Sequence, residues 1–123
     1  MTATKTALVV DDSSVMREMV SQTLRSAGFE LRVGANGQEG LDRLTGTPPD
    51  IIVTDVYMPV MDGITFVRAV RARPEYGRIP ILILTTETRA EIKQQGKEAG
   101  ATGWIVKPFN PDMLLQVVQK LVP

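Results

Sequence analysis

The sequence predicts an α/β protein, with one parallel β-sheet and helices on both of its faces. Two observations carry this. Short apolar, β-branched runs alternate with amphipathic helical patterns five times along the 123 residues, the order that builds parallel βαβ units with right-handed crossovers. Runs such as Ile51-Ile52-Val53 and Ile81-Leu82-Ile83-Leu84 are apolar without alternation, which suits strands covered on both sides.

Taken in order, strands are expected at Thr6–Val10, Glu30–Gly34, Ile51–Thr54, Ile81–Leu84 and Gly103–Val106. The first helix, Ser14 to about Ser26, places Met16, Met19/Val20, Thr23/Leu24 and Ala27 on one face at helical spacing. A second runs from about Gly37 to Leu44, ahead of the breakers Gly46, Pro48 and Pro49. The third spans about Ile64–Ala72 and stops before Pro74. The fourth follows Thr88, where Thr88-Arg-Ala-Glu91 has the form of a capping box, and ends near Gly100. It offers few apolar anchors (Ala90, Ile92, Ala99) and carries Gly96 inside, as either a weakly packed, movable element or a merely exposed polar helix would. The last helix, Pro111–Leu121, is expected to bury Leu114, Val117/Val118 and Leu121. No linker or repeat interrupts the pattern, so residues 1–123 read as one domain with no output domain appended.

Composition removes whole classes of chemistry. The chain has no cysteine and no histidine, which excludes disulfides, thiol nucleophiles, zinc fingers and any imidazole base of its own. Fourteen Lys+Arg balance fourteen Asp+Glu, and no basic run stands out, so nucleic-acid binding is not expected. No apolar stretch approaches the roughly 18–20 residues of a membrane span, and the N-terminus lacks the apolar core and cleavage site of an export signal. A cytoplasmic location away from membranes is expected.

In open α/β sheets, ligands bind beyond the carboxyl ends of the strands. Here the first strand ends in Asp11-Asp12 and the third in Asp55, while Thr85-Thr86 follow the fourth and Lys107-Pro108 the fifth. Singly, each has a plainer use. Asp12 or Ser13 can cap the first helix, Asp55 can be a solvated loop acid, and Lys107 an ordinary surface lysine. Together they are harder to set aside. Carboxylates converging at neighbouring strand ends repel by about 4 kcal/mol per pair at roughly 4 Å in an effective dielectric near 20. Such a cluster needs a cation: Lys107, a metal ion, or both. Oxygen-only ligands suit a hard, partly hydrated cation, Mg²⁺ or Mn²⁺. A carboxylate beside such an ion, with a hydroxyl and an ammonium in reach, suits phosphoryl handling.

Asp11-Asp12, DVYMPVMDG around Asp55, LTT at Leu84–Thr86 and KPF at Lys107–Phe109, in that order, strongly resemble bacterial response-regulator receiver domains over essentially the whole chain. The resemblance implies a flavodoxin-like, CheY-like fold with sheet order 2-1-3-4-5. It implies Asp55 as phosphoacceptor, with Asp12, Asp55 and the Tyr57 backbone carbonyl as Mg²⁺ ligands and Asp11 acting through water. It implies phosphoryl contacts from Thr85, Lys107 and the backbone N–H of Thr86. Thr85 and Trp104 would form the conformational switch, and Tyr57 and Glu87 would tune dephosphorylation by controlling water access. The Lys107-Pro108 bond is cis in relatives.

On this resemblance the missing histidine belongs to a partner kinase, whose phosphohistidine supplies the phosphoryl group. The segment from Leu84 to Phe109 looks closer to chemotaxis receivers than to transcriptional ones. That implies a CheA-type histidine kinase upstream, a FliM-type flagellar motor switch protein downstream, and a monomer whose fourth helix, fifth strand and fifth helix form the partner surface. A phosphate sink in a shared phosphorelay is the alternative. One position departs from the pattern: Tyr57 is bulky where the chemotaxis family often has asparagine, and is expected to shield the phosphoryl group. An aspartyl-phosphate phosphatase is disfavoured, because Tyr57 stands where its general acid would be. A flavin binder is disfavoured because Asp11-Asp12 would repel a phosphate, and the G-x-x-x-x-G-K-[ST] loop of nucleotide hydrolases is absent.

Overall fold

The computed structural model describes residues 4–123. Its elements follow in the order β1 (Thr6–Val10), α1 (Ser14–Ser26), β2 (Glu30–Gly34), α2 (Gly37–Asp42), β3 (Ile51–Thr54) and α3 (Gly63–Arg71), then a 3-10 turn (Pro74–Tyr76), β4 (Ile81–Thr85), α4 (Ala90–Ala99), β5 (Gly103–Val106) and α5 (Pro111–Leu121). All strand pairs are parallel, and the sheet order is β2-β1-β3-β4-β5.

The unalternating strands divide their side chains between two apolar layers. Leu8, Val10, Ile52, Ile81 and Ile83 face α2 and α3, packing with Leu41, Phe66, Val67 and Val70. Ala7, Val9, Ile51, Val53, Leu82 and Leu84 face α1 and α5, packing with Val20, Leu24, Leu114 and Val118. The period of two sorts them, and helices on both faces make both sets apolar.

Helix boundaries follow local chemistry. Ser13 caps α1, its hydroxyl accepting the Met16 N–H at 3.2 Å, so Asp12 is not the cap. Asn36 caps α2, Asp62 caps α3, and Asn110 caps α5 ahead of Pro111. At the end of α4, Gly100 takes a left-handed φ of 113°, and its N–H reaches Lys97 O at 3.0 Å.

Several expectations are corrected. In α1 the buried residues are Val20, Ser21 and Leu24, whereas Met19 is 48% exposed and Ala27 is exposed. The face toward the sheet is centred about one residue later than the apolar spacing suggested. In α5 only Leu114 and Val118 are fully buried, with Val117 and Leu121 at the margin. Helix α2 ends at Asp42, though Leu44 is still buried. The capping box at Thr88 does not form: Arg89 occupies the N-cap of α4 without a side-chain bond. The Glu87 carboxylate instead accepts the N–H groups of Thr88 at 2.8 Å and Arg89 at 2.9 Å. Gly96 also has a packing reason, since a Cβ there would lie 2.8 Å from the Trp104 ring. Helix α4 is nonetheless shallowly seated, with only Gly96 and Ala99 fully buried.

Candidate functional site

Register builds the site. Val10 pairs with Thr54 across β1 and β3, so the next residues, Asp11 and Asp55, emerge side by side at the carboxyl edge. Thr85 pairs with Val106 across β4 and β5, which brings Lys107 to the same edge. Carboxylate oxygens of Asp11, Asp12 and Asp55 lie within 4.8 Å of one another. Asp11 is buried at 4% exposure, Asp55 is intermediate and Asp12 is exposed.

Lys107 Nζ donates to Asp11 Oδ2 at 2.8 Å and to Asp55 Oδ2 at 3.0 Å. Burial pulls the Lys107 ammonium down, but the bonds to Asp11 and then Asp55 outweigh it and raise its pKa above the usual lysine value. The other oxygens are used locally: Asp11 Oδ1 accepts the Ser13 N–H at 2.9 Å, and Asp55 Oδ1 accepts the Val56 N–H at 2.6 Å. Arg17 donates to the Asp11 carbonyl at 2.8 Å. The carboxylates present only oxygen, and their mutual approach is the repulsive cluster that a hard divalent cation relieves. The donor set fits Mg²⁺ and equally Mn²⁺.

The loop after Asp55 is shaped by backbone demands. Gly63 N donates to Val56 O at 2.7 Å, and a Cβ at Gly63 would lie 1.8 Å from the Asp55 carbonyl oxygen. Only glycine fits there. At Val60, φ is 70°, and Met61 N donates to Pro59 O at 2.7 Å, a γ-turn with a β-branched residue in the left-handed region.

Beside this edge lies a second cluster. Thr85, fully buried as the last residue of β4, accepts the Glu87 N–H on its hydroxyl at 3.4 Å. Glu87 is buried at 8% exposure. Its Oε1 accepts the Tyr57 hydroxyl together with Arg89 Nε at 3.0 Å and Nη2 at 2.7 Å. Arg89 Nη2 also donates to the Tyr57 oxygen at 3.1 Å. Arg89, and after it Tyr57, holds the Glu87 carboxyl well below the usual range, while donation to Glu87 raises the Tyr57 phenol. Trp104, half-buried, donates its indole N–H to the Glu87 carbonyl at 3.2 Å. Thr86 is exposed and follows Thr85 directly. The Lys107-Pro108 peptide is cis.

The strand edge thus gathers Asp11, Asp12, Asp55 and Lys107, while Tyr57, Thr85, Glu87 and Trp104 form the adjoining cluster. Arg89 was not among the expected residues. An arginine at a helix N-terminus opposes the helix dipole, and that mismatch is the sequence signal that something else holds it.

An acidic strand-end cleft with a lysine salt-bridged across it, on a 2-1-3-4-5 parallel sheet, defines a receiver domain of two-component signalling. The chain belongs to the response regulator receiver domain family, whose model matches residues 7–119. It is CheY-like within that family. Chemotaxis protein CheY-3 of Vibrio cholerae is 38% identical over 120 residues, covering 93% of this chain and 88% of the relative. Transcriptional regulatory protein PrrA of Mycobacterium leprae is 40% identical over 115 residues, covering 94% of this chain, which spans only 48% of that longer protein. Among solved structures, the chemotaxis response regulator CheY4 of Vibrio cholerae matches with a TM-score of 0.90 at 50% identity, covering 97% of this chain and 99% of that one. The receiver domain of sensor histidine kinase PA1611 from Pseudomonas aeruginosa, with a magnesium ion coordinated in its active-site cleft, matches with a TM-score of 0.89 at 28% identity, over 98% of each chain. Among the described residues, no helix is long and apolar enough to cross a membrane.

Proposed function

We propose that Asp55 accepts a phosphoryl group from a phosphohistidine on a CheA-type partner kinase. The observation that carries this is the Lys107 ammonium bonded to both Asp11 and Asp55. A positive charge fixed beside the nucleophile is what a transferring phosphoryl group needs at its oxygens. An Asp55 carboxylate oxygen bonds to phosphorus as the bond from phosphorus to the kinase imidazole breaks, and the imidazole leaves. Asp11, Asp12, Asp55 and the Tyr57 carbonyl would hold Mg²⁺, which supplies further positive charge when bound. Thr85, Lys107 and the Thr86 N–H would contact the phosphoryl oxygens. The chain then acts as a signalling domain that promotes only its own phosphorylation and dephosphorylation.

For output, the α4–β5 surface offers a groove of about 450 Å³ bordered by Ala90, Lys93, Lys97, Ala101 and Trp104. Its two lysines and indole edge suit an acidic segment with an apolar anchor, and we assign it to a FliM-type motor switch protein. Its link to the site runs through the bond from Trp104 to Glu87. A timed transfer assay from a panel of phosphorylated kinases tests the acceptor role: fast, selective labelling is expected, and is absent in Asp55→Asn. Pull-down of switch-complex proteins by phosphorylated protein tests the output, and no capture alongside normal labelling identifies a phosphate sink instead.

A further inference from the structure

We propose that Arg43 closes the free edge of β2 against strand pairing with a second copy of this chain. β2 and β5 are the two edges of the sheet, so this edge lies away from the α4–β5 surface assigned to output.

β2 is bonded to β1 alone. The Glu30 N–H donates to Lys5 O at 2.8 Å, and Gly34 O accepts the Asp11 N–H at 3.1 Å. Glu30, Arg32 and Gly34 therefore turn their backbone groups toward β1, and by the alternation of a strand Leu31 and Val33 turn theirs outward. Among the described residues, one bond meets these outward groups: Arg43 Nε donates to Val33 O at 3.1 Å. Two usual features that blunt an edge are missing. The register with β1 is unbroken from Glu30 to Gly34, so there is no bulge, and the strand has no proline. Its own cation, Arg32, is turned to the end of α2, donating to Arg43 O at 3.2 Å and Thr47 O at 2.6 Å. The two arginines form a clasp, in which Arg32 fixes the backbone of Arg43 and Arg43 reaches back to the backbone of Val33.

Antiparallel pairing of two such edges across a twofold axis would set Leu31 of one copy opposite Val33 of the other. Val33 O accepts half of the bonds in that ladder. Arg43 already occupies it with a charged donor, and pairing would bring two guanidinium groups to one interface, where like charges oppose. Val33 is 38% exposed, so its side chain does not shield the edge in place of Arg43. An arginine at the C-cap of a helix also suits the helix dipole. That use alone gives a slightly less stable monomer when Arg43 is removed, and no change in association.

The test is sedimentation of the full chain over a range of concentrations, with amide exchange read on the same samples. Arg43→Ala is expected to dimerise about tenfold more tightly than wild type, with new protection at the Leu31 and Val33 amides. Arg43→Lys, which keeps the charge and a donor, is expected to sediment as wild type. Adding Val33→Pro to Arg43→Ala removes an outward N–H that β1 does not use, and is expected to return association to the wild-type level. Should Arg43→Ala fail to fold by circular dichroism, Arg43→Met keeps the length of the side chain without its donor or charge and is read in the same way. Should the double variant fail to fold, amide exchange on the single variant decides. Wild-type association in the folded single variant, dimers whose Leu31 and Val33 amides stay unprotected, or dimers that survive Val33→Pro overturn the proposal.

Discussion

Lys107 donates to Asp55 across 3.0 Å while the same ammonium holds Asp11 at 2.8 Å. The lysine therefore occupies the electrostatic place that a divalent cation would share. Two cations close together on one set of carboxylates repel, and the ~4 kcal/mol scale for unit charges near 4 Å sets the size of the effect. Lys107→Ala is expected to bind Mg²⁺ about tenfold more tightly than wild type, ~1.4 kcal/mol. It should also melt lower than wild type without the metal and recover on adding it. Calorimetric titration and thermal melts check both, and an unchanged or weaker Mg²⁺ affinity would contradict this account.

Removing the Asp55 carboxylate separates the proposed chemistry from folding. Asp55→Asn keeps the shape and an acceptor for the Val56 N–H but cannot form an acyl phosphate. Labelling should vanish with little loss of stability, because one charge leaves a crowded acidic cluster. Phosphotransfer and urea denaturation on the same preparation distinguish this from unfolding.

Gly63 governs the loop after Asp55 through space alone. A methyl group there would lie 1.8 Å from the Asp55 carbonyl oxygen, so Gly63→Ala must push the loop away from the start of α3. We expect a loss above ~2 kcal/mol, the range of overpacking and lost turn geometry, together with slower labelling of Asp55. Equilibrium denaturation measures the first and transfer kinetics the second.

The strands and the acidic edge were legible because their signals are local. The sequence expectation for β1, β2, β3 and β5 agrees with the structure to the residue, and β4 runs one residue further, to Thr85. Apolar runs and strand-end carboxylates suffice for that. In α1, by contrast, spacing alone could not decide whether Met19 or Ser21 would be buried, since both flank Val20 and the sheet makes the choice. The Tyr57–Glu87–Arg89 cluster had no local signature: its two loops are 30 residues apart in sequence and meet only through the parallel sheet. The packing reason for Gly96 was hidden in the same way, because its partner Trp104 lies on another element.

Val60 holds a left-handed backbone with a β-branched side chain that is 83% exposed. The conformation is unfavourable by about 1–2 kcal/mol for an L-residue, and almost no packing offsets it. Val60→Gly removes the strain but adds freedom to the unfolded chain. A net gain of ~0.5–1 kcal/mol is expected from these opposing terms, read as a higher urea midpoint at unchanged slope.

Glu87 makes stability depend on acid. Its hydrogen bonds, first from Arg89 and then from Tyr57, depress the carboxyl pKa below its ordinary value of 4.5. A group whose folded pKa is depressed contributes stability that is fully present above the unfolded value and is lost as pH falls through the folded one. The wild-type advantage over Glu87→Gln should therefore be constant around neutrality and shrink as pH drops below about 4.5. Arg89 stays charged throughout this range, so it shapes the size of the advantage and not its pH dependence. Melting temperatures of both proteins measured from pH 7 downward provide the test; a difference that widens on acidification would show that Glu87 is strained by its neighbours and not held by them.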